Sequence, residues 1–500
     1  MLFNSITYAW FFAAVFVVSW LLSPLRRVRL GFLLVSSYVF YAGWTFVGWQ
    51  EIADAQGMDR VVAILKSVKY VPLLFVATSI DYWLGVALGN QTDKRRRKLF
   101  LLVTIVINVG ILVFFKYWNW GADTFVWLAD RLFHVTLPDI HFRVELPIGI
   151  SFFCFMSLSY VIDVYREEIP PCRSYLQYLT YISFFPHLIA GPIIRGRDLL
   201  PNLARQVRLT AETGGEGLFL IAQGLMKKVV IGDFLALNLV DRVFEAPTSY
   251  SSVEVLFAMY GYAVQVYCDF SGYSDIAIGS ALLLGYRFKL NFDQPFKSLN
   301  IVEFWRRWHV SLSTWLRDYV YISLGGAKRG RFRKYLNVFL TMVVAGVWHG
   351  AAWTYFIFGC IQGAALAVTH FVRELRGKDQ RGAAAAPVAI PVRILCVAGT
   401  FTFVALTFAM FRAASLDKAL GMYERLLTFT TYTPNLHAGV LAIIFGALVL
   451  QWMPRKAYDS LRDAFIRSPA VVQAAALFAV AYLLRLAASA EAVPFVYFSF

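Results

Sequence analysis

Cysteine is scarce and carries no pattern. The 500 residues include five, Cys154, Cys172, Cys268, Cys360 and Cys396, with no CxxC or other metal-ligand spacing, and most lie in apolar stretches. That excludes a disulfide framework and a zinc-ligand set, so buried free thiols and no metal are expected. Charge is also short. Asp, Glu, Lys and Arg make up 16% of the chain, against about 25% in an ordinary soluble domain. No internal repeat is evident, which weakens a reading as an inverted-repeat transporter. Low complexity is confined to residues 377–391, read as a cytoplasmic linker.

What fills the chain instead is apolar. Hydrophobic residues reach 59%, the mean hydropathy is +0.59, and apolar runs recur from end to end. One all-α polytopic membrane domain over residues 1–500, seated in a lipid bilayer, is the economical reading. The first run, Ile6 to Leu22, has no basic residue before it and Arg26, Arg27 and Arg29 just after it. A cleaved signal peptide has the opposite polarity, so this is read as a retained span with its N-terminus outside the cytoplasm, that is, periplasmic. The loop 50–69 has no basic excess, and the cluster Lys94-Arg95-Arg96-Arg97-Lys98 falls where the next cytoplasmic loop is expected. Runs at 30–47, 71–88, 99–115, 146–164, 217–231, 253–270, 335–348, 352–371, 394–410, 441–453 and 471–484 complete roughly a dozen spans. Tyr175 to Ile194, broken by Pro186 and Pro192, reads as a segment that enters and turns back, tolerated only if buried in protein.

Half of the formal net charge of +16 sits between Tyr286 and Tyr335, where eleven Lys and Arg face three Asp and Glu. Within that segment, Phe304 to Tyr319 reads as an amphipathic interfacial helix. Trp305, Trp308, Leu312, Trp315 and Tyr319 share one face, and Arg306, Ser313 and Arg317 another. Positive-inside topology and anionic lipid account for such charge, as does a docking surface for an anionic acyl donor. No nucleic-acid partner is expected.

Seven histidines are present, and one stands out. His349 ends an otherwise apolar run, where an ionisable group is costly and raises a functional hypothesis. Imidazole suits proton transfer near neutral pH, but an intramembrane histidine also serves as a helix-packing hydrogen bond. His309 lies one turn from Trp305, where it reads as interfacial or catalytic. His134, His141, His370 and His437 read as loop or surface residues. In Tyr267 to Ala277, Asp269 and Asp275 flank Ser271 and Ser274, a pattern that fits a proton or cation path or a hydrogen-bonded helix break beside a cavity.

Taken in order, several stretches resemble the membrane-bound O-acyltransferase superfamily, and within it the bacterial alginate O-acetylation branch. They are Leu146 to Phe153, Tyr160 to Arg166, Phe185 to Ile193, Asp269 to Asp275, Asn291 to Phe296, Phe304 to Trp315, Trp348 to Ala351 and Phe495 to Phe500. Phe153-Cys154 and Pro186-His187 depart slightly from close relatives. The resemblance implies a ring of membrane helices, with re-entrant and interfacial ones, around a thin catalytic centre entered by a funnel from each side. It implies His349 as general base and His309 as a second catalytic position. Trp305, Arg306, Arg307, Trp308, Trp348, Asp269, Ser271 and Asp275 are the expected substrate contacts. No cofactor is expected to be tightly bound. The expected donor is acetyl-CoA or another acyl thioester. The acceptor is an extracytoplasmic polysaccharide such as alginate, or a periplasmic acetyltransferase that passes the group on, at the cell inner membrane. D-Alanyl transfer to teichoic acid and O-acetylation of peptidoglycan are the alternatives within this chemistry. A transporter or channel using the intramembrane polar residues is the alternative outside it.

Overall fold

The computed structural model describes residues 2–56, 62, 65–66, 68–135, 142–328, 330–375, 377 and 389–487, with side chains of 44–56 left aside. His141, residues 57–61, 63–64 and 67 of the loop 50–69, most of the linker 377–391 and the motif at 495–500 fall outside the described residues. Every described element is helical, and the chain is a multi-pass membrane protein. All twelve apolar runs become helices. Among them Val71–Asn90, Lys94–Phe133, Trp353–Leu375, Ile390–Arg412 and Ala470–Ala487 are long and apolar enough to cross a bilayer. A sixth crossing is formed if Ala438–Leu450 and Arg455–Arg467, bent by 97°, count as one. The remaining runs give helices that are shorter or interrupted by polar side chains.

The contacts group into two compact units, residues 1–218 with 277–288, and 219–276 with 289–500. The boundary falls inside the helix Ser252–Leu283.

In the first unit the basic cluster 94–98, expected in a loop, forms the opening turns of a helix. Asp93 caps that helix by accepting from the Arg95 amide at 3.0 Å, and Arg97 donates to the carbonyls of Val164 and Tyr165. Four cations in a first turn oppose the helix dipole, which is why an acidic cap is needed there. Arg29 is buried, with no carboxylate partner among the described residues. Its guanidinium donates to Ser19 and to the Leu284 carbonyl at 2.7 Å, and lies over the rings of Trp20 and Tyr286. It thereby satisfies a carbonyl at the end of a long helix. The segment Tyr175 to Ile194 breaks after Ser183 and is buried from Tyr178 onward, the environment in which irregular backbone survives in a membrane protein.

In the second unit the helices Arg331–His349 and Trp353–Leu375 form an antiparallel hairpin. Gly346 lets them meet: a β-carbon there would lie 2.4 Å from the Tyr355 carbonyl oxygen and 2.8 Å from the Gly359 α-carbon. Small residues replace hydrophobic driving force where helices associate in lipid. Gly346→Ala is therefore expected to destabilise the protein by about 1–3 kcal/mol. Gly399→Ala, whose β-carbon meets nothing within 4 Å, serves as the neutral control in the same thermal-unfolding series.

Candidate active site

His349 is the last residue of its helix. Gly350 follows in an extended conformation and ends the turn. The His349 ring is 7% exposed and packs edge-on against Trp348 and Phe411, each with centroids 4.9 Å away. Phe411 in turn meets Tyr355 at 5.1 Å and Phe358 at 5.4 Å. The result is an imidazole set in an aromatic wall at a helix end.

The second histidine sits at a break. The expected continuous helix from Phe304 to Tyr319 is instead two short helices, Ile301–Arg307 and Val310–Trp315. His309 between them has φ 42° and ψ 58°, the left-handed region that a non-glycine residue occupies only when its surroundings hold it there. Asn291 does so. Its main-chain oxygen accepts from the Val310 amide at 2.8 Å, and its side-chain oxygen accepts from the Ser311 amide and hydroxyl at 3.1 and 2.9 Å. The expected interfacial placement also changes. Trp305, Trp308, Leu312, Trp315 and Tyr319 are all buried, between 1% and 9% exposed, so the aromatic face packs into protein and not lipid.

His309 is fully enclosed, with Phe270 edge-on at 4.6 Å and Phe292 at 6.1 Å. Burial pushes its imidazole down to about 3, so it is neutral at physiological pH.

Both histidine segments rest on one helix. Trp308 meets Phe408 at 5.1 Å, and Phe408 and Phe411, three residues apart on Ile390–Arg412, carry the contact on to His349. A hydrogen-bonded bridge runs alongside. Trp305 Nε1 donates to Gln362 Oε1 at 3.0 Å, and Gln362 Nε2 donates to Thr407 Oγ1 at 2.7 Å. Trp305 and Trp308 are thus placed in the aromatic packing, with Trp348 beside His349.

The carboxylates are occupied by lysines. Asp275 accepts from Lys227 at 2.7 Å and from Gln223 at 2.6 Å. Lys228 lies 2.6 Å from Asp269 and 2.7 Å from Asp233. Both lysines belong to the π-helical run Met226–Asp233, whose wider turn brings consecutive side chains to carboxylates on either side. Ser271 is buried, and its hydroxyl has no partner among the described residues. Arg307 is also engaged, with Glu303 at 2.8 Å and Asp293 at 3.2 Å, while Arg306 is exposed. No group of three or more His, Cys, Asp or Glu side chains able to hold a metal occurs among the described residues.

Of the other histidines, His134 and His437 stand exposed at helix ends, in keeping with the surface reading. His370 does not. It is half-buried within Trp353–Leu375, because it follows the apolar face of that helix. His187 is fully buried in the first unit beside Phe184 and Phe288. Sequence reasoning passed over Lys227, Lys228, Asn291, Gln362 and Phe411. For the lysines a signal existed, since two adjacent cations inside the apolar run 217–231 are as costly as His349. Gln362 and Phe411 carry none, as a polar or aromatic residue in a span marks no particular partner.

The sequence model of the membrane-bound O-acyltransferase (MBOAT) family matches residues 62–411. A "Probable alginate O-acetylase" of Pseudomonas aeruginosa is 37% identical over 458 residues, covering 91% of this chain and 80% of the relative. One of the same description from Azotobacter vinelandii is 38% identical over 437 residues, with 87% and 79% covered. A peptidoglycan O-acetyltransferase of Helicobacter pylori is 34% identical over 384 residues, with 71% and 69% covered.

Proposed function

Because the chain belongs to the membrane-bound O-acyltransferase family, and is thus an acyltransferase, we propose that it transfers acetyl groups for O-acetylation of an extracytoplasmic polysaccharide. The donor is cytoplasmic acetyl-CoA, and the acceptor is alginate or a similar exopolysaccharide, reached directly or through a periplasmic acetyltransferase. The protein works in the inner membrane with its N-terminus periplasmic. His349 is the general base that takes the proton of the attacking hydroxyl.

The observation that carries this reading is the site itself: a buried imidazole in an aromatic wall, with a second buried histidine on the same supporting helix. A positioned general base contributes about 10² to 10⁴-fold, and positioning of donor and acceptor supplies much of the rest. The long coverage of relatives described as alginate O-acetylases favours an acetylated polysaccharide over peptidoglycan. With Asp269 and Asp275 each held by a lysine, a conducting path built on free carboxylates loses its support.

The test is purified protein in nanodiscs with radiolabelled acetyl-CoA, alginate oligomers and, separately, the periplasmic partner. Label reaching the polysaccharide or partner is the expected result. Substrate flux without acyl transfer, or transfer only of D-alanine from a carrier protein, would overturn the reading. The exposed Arg306 gives a second handle. Arg306→Glu is expected to raise KM for acetyl-CoA about three- to tenfold with kcat unchanged, as loss of a surface charge contact does. An unchanged KM across a salt titration would remove Arg306 from donor docking.

A further inference from the structure

We infer that Asn291 is a positioning residue: it sets the His309 ring in the Nδ1–H form and leaves Nε2 as a bare acceptor. The orientation of the Asn291 amide is fixed by its partners. Its oxygen accepts from the Ser311 amide, a donor that cannot reverse, and its nitrogen donates to the Ser274 hydroxyl at 3.1 Å. That same oxygen lies 3.2 Å from His309 Nδ1. Two facing lone pairs at this distance repel, so Nδ1 carries the hydrogen.

One contact opposes this. The Leu312 amide points at Nδ1 from 3.4 Å, and it would favour a bare Nδ1. That bond is at the long limit of hydrogen bonding, and the Asn291 contact is shorter. The other nitrogen decides the balance. Nε2 is buried with no partner among the described residues. As an N–H it would be an orphaned buried donor, which folded proteins rarely tolerate.

The consequence separates two roles for His309. A bare Nε2 cannot donate to an oxyanion, so it does not stabilise that charge. It can only accept, from an N–H or O–H brought to it. Asn291 reaches this ring from a loop, and the Ser274 it leans on belongs to the same helix as Asp269 and Asp275, so the motif 269–275 acts on His309 through Ser274 and Phe270.

The catalytic part rests on the acyl-transfer reading, and the tautomer does not. Solid-state nitrogen NMR of ring-labelled histidine in proteoliposomes, with His309→Gln identifying the signal, is expected to show Nδ1 protonated and Nε2 bare at pH 7. Asn291→Asp, which keeps the acceptor oxygen, retains that pattern and holds acetyl transfer within about threefold. Asn291→Leu mixes or reverses the tautomer and lowers acetyl transfer about 10²-fold, the scale of a misplaced contact. A protonated Nε2 in the unmodified protein, or an unaltered tautomer in Asn291→Leu, would overturn the inference. If the tautomer is as stated but no form of the protein transfers acetyl, the functional reading fails and the assignment of Asn291 to the ring stands.

Discussion

His349→Gln is expected to lower acetyl transfer about 10³-fold, within the range a general base contributes, while the protein stays folded. Glutamine keeps most of the ring's volume between Trp348 and Phe411 and removes its basicity. Such a loss corresponds to about 4 kcal/mol of transition-state stabilisation. The effect belongs in kcat more than in KM, because proton removal develops only in the transition state. Initial rates with labelled acetyl-CoA, beside a thermal-unfolding control, provide the check. Activity within threefold of the unmodified protein would remove His349 from the chemistry and leave it as a packing residue at a helix end.

Lys228→Met is expected to cost about 3–5 kcal/mol of stability, the usual penalty for breaking a buried ion pair from one side. The ammonium stands between Asp233 and Asp269, with side-chain exposures of 7%, 11% and 1%. Removing it leaves two carboxylates with a shared cation gone. Adding Asp269→Asn to Lys228→Met is expected to recover part of the loss, since one of those charges then disappears as well. Equilibrium unfolding in detergent separates the three proteins. A loss below about 1 kcal/mol in the single variant would place this trio with exposed ion pairs, whose worth is of that order. Lys227→Met provides a milder comparison, because Asp275 keeps its bond from Gln223.

The helices were legible because apolar periodicity and charge clusters survive in any membrane setting. Every expected run is helical, and the break after Ser183 in Tyr175 to Ile194 was signalled by Pro186. His349 was legible because charge in lipid is expensive. The turn at His309 was not. Trp305, Trp308, Leu312, Trp315 and Tyr319 keep a helical spacing through the break, so periodicity predicts one continuous helix. What interrupts it is Asn291, eighteen residues earlier, and a contact of that kind leaves no local trace. The aromatic face was misplaced for a related reason: tryptophan suits a membrane interface and a protein interior equally, and only the partners on Ile390–Arg412 decide between them. Ion pairing was half legible. Asp269 and Asp275 drew attention as paired carboxylates, yet their lysines lie in another run, and the π-helical turn that presents both is not written in composition.

Phe408 and Phe411 lie under both histidine segments. A substitution at either position reaches both segments at once, so its effect at His309 cannot be chosen independently of its effect at His349. Improvement by single steps is therefore hard there. A variant library meant to retune this enzyme has to change residues 408 and 411 together with Trp308 or Trp348, as one block.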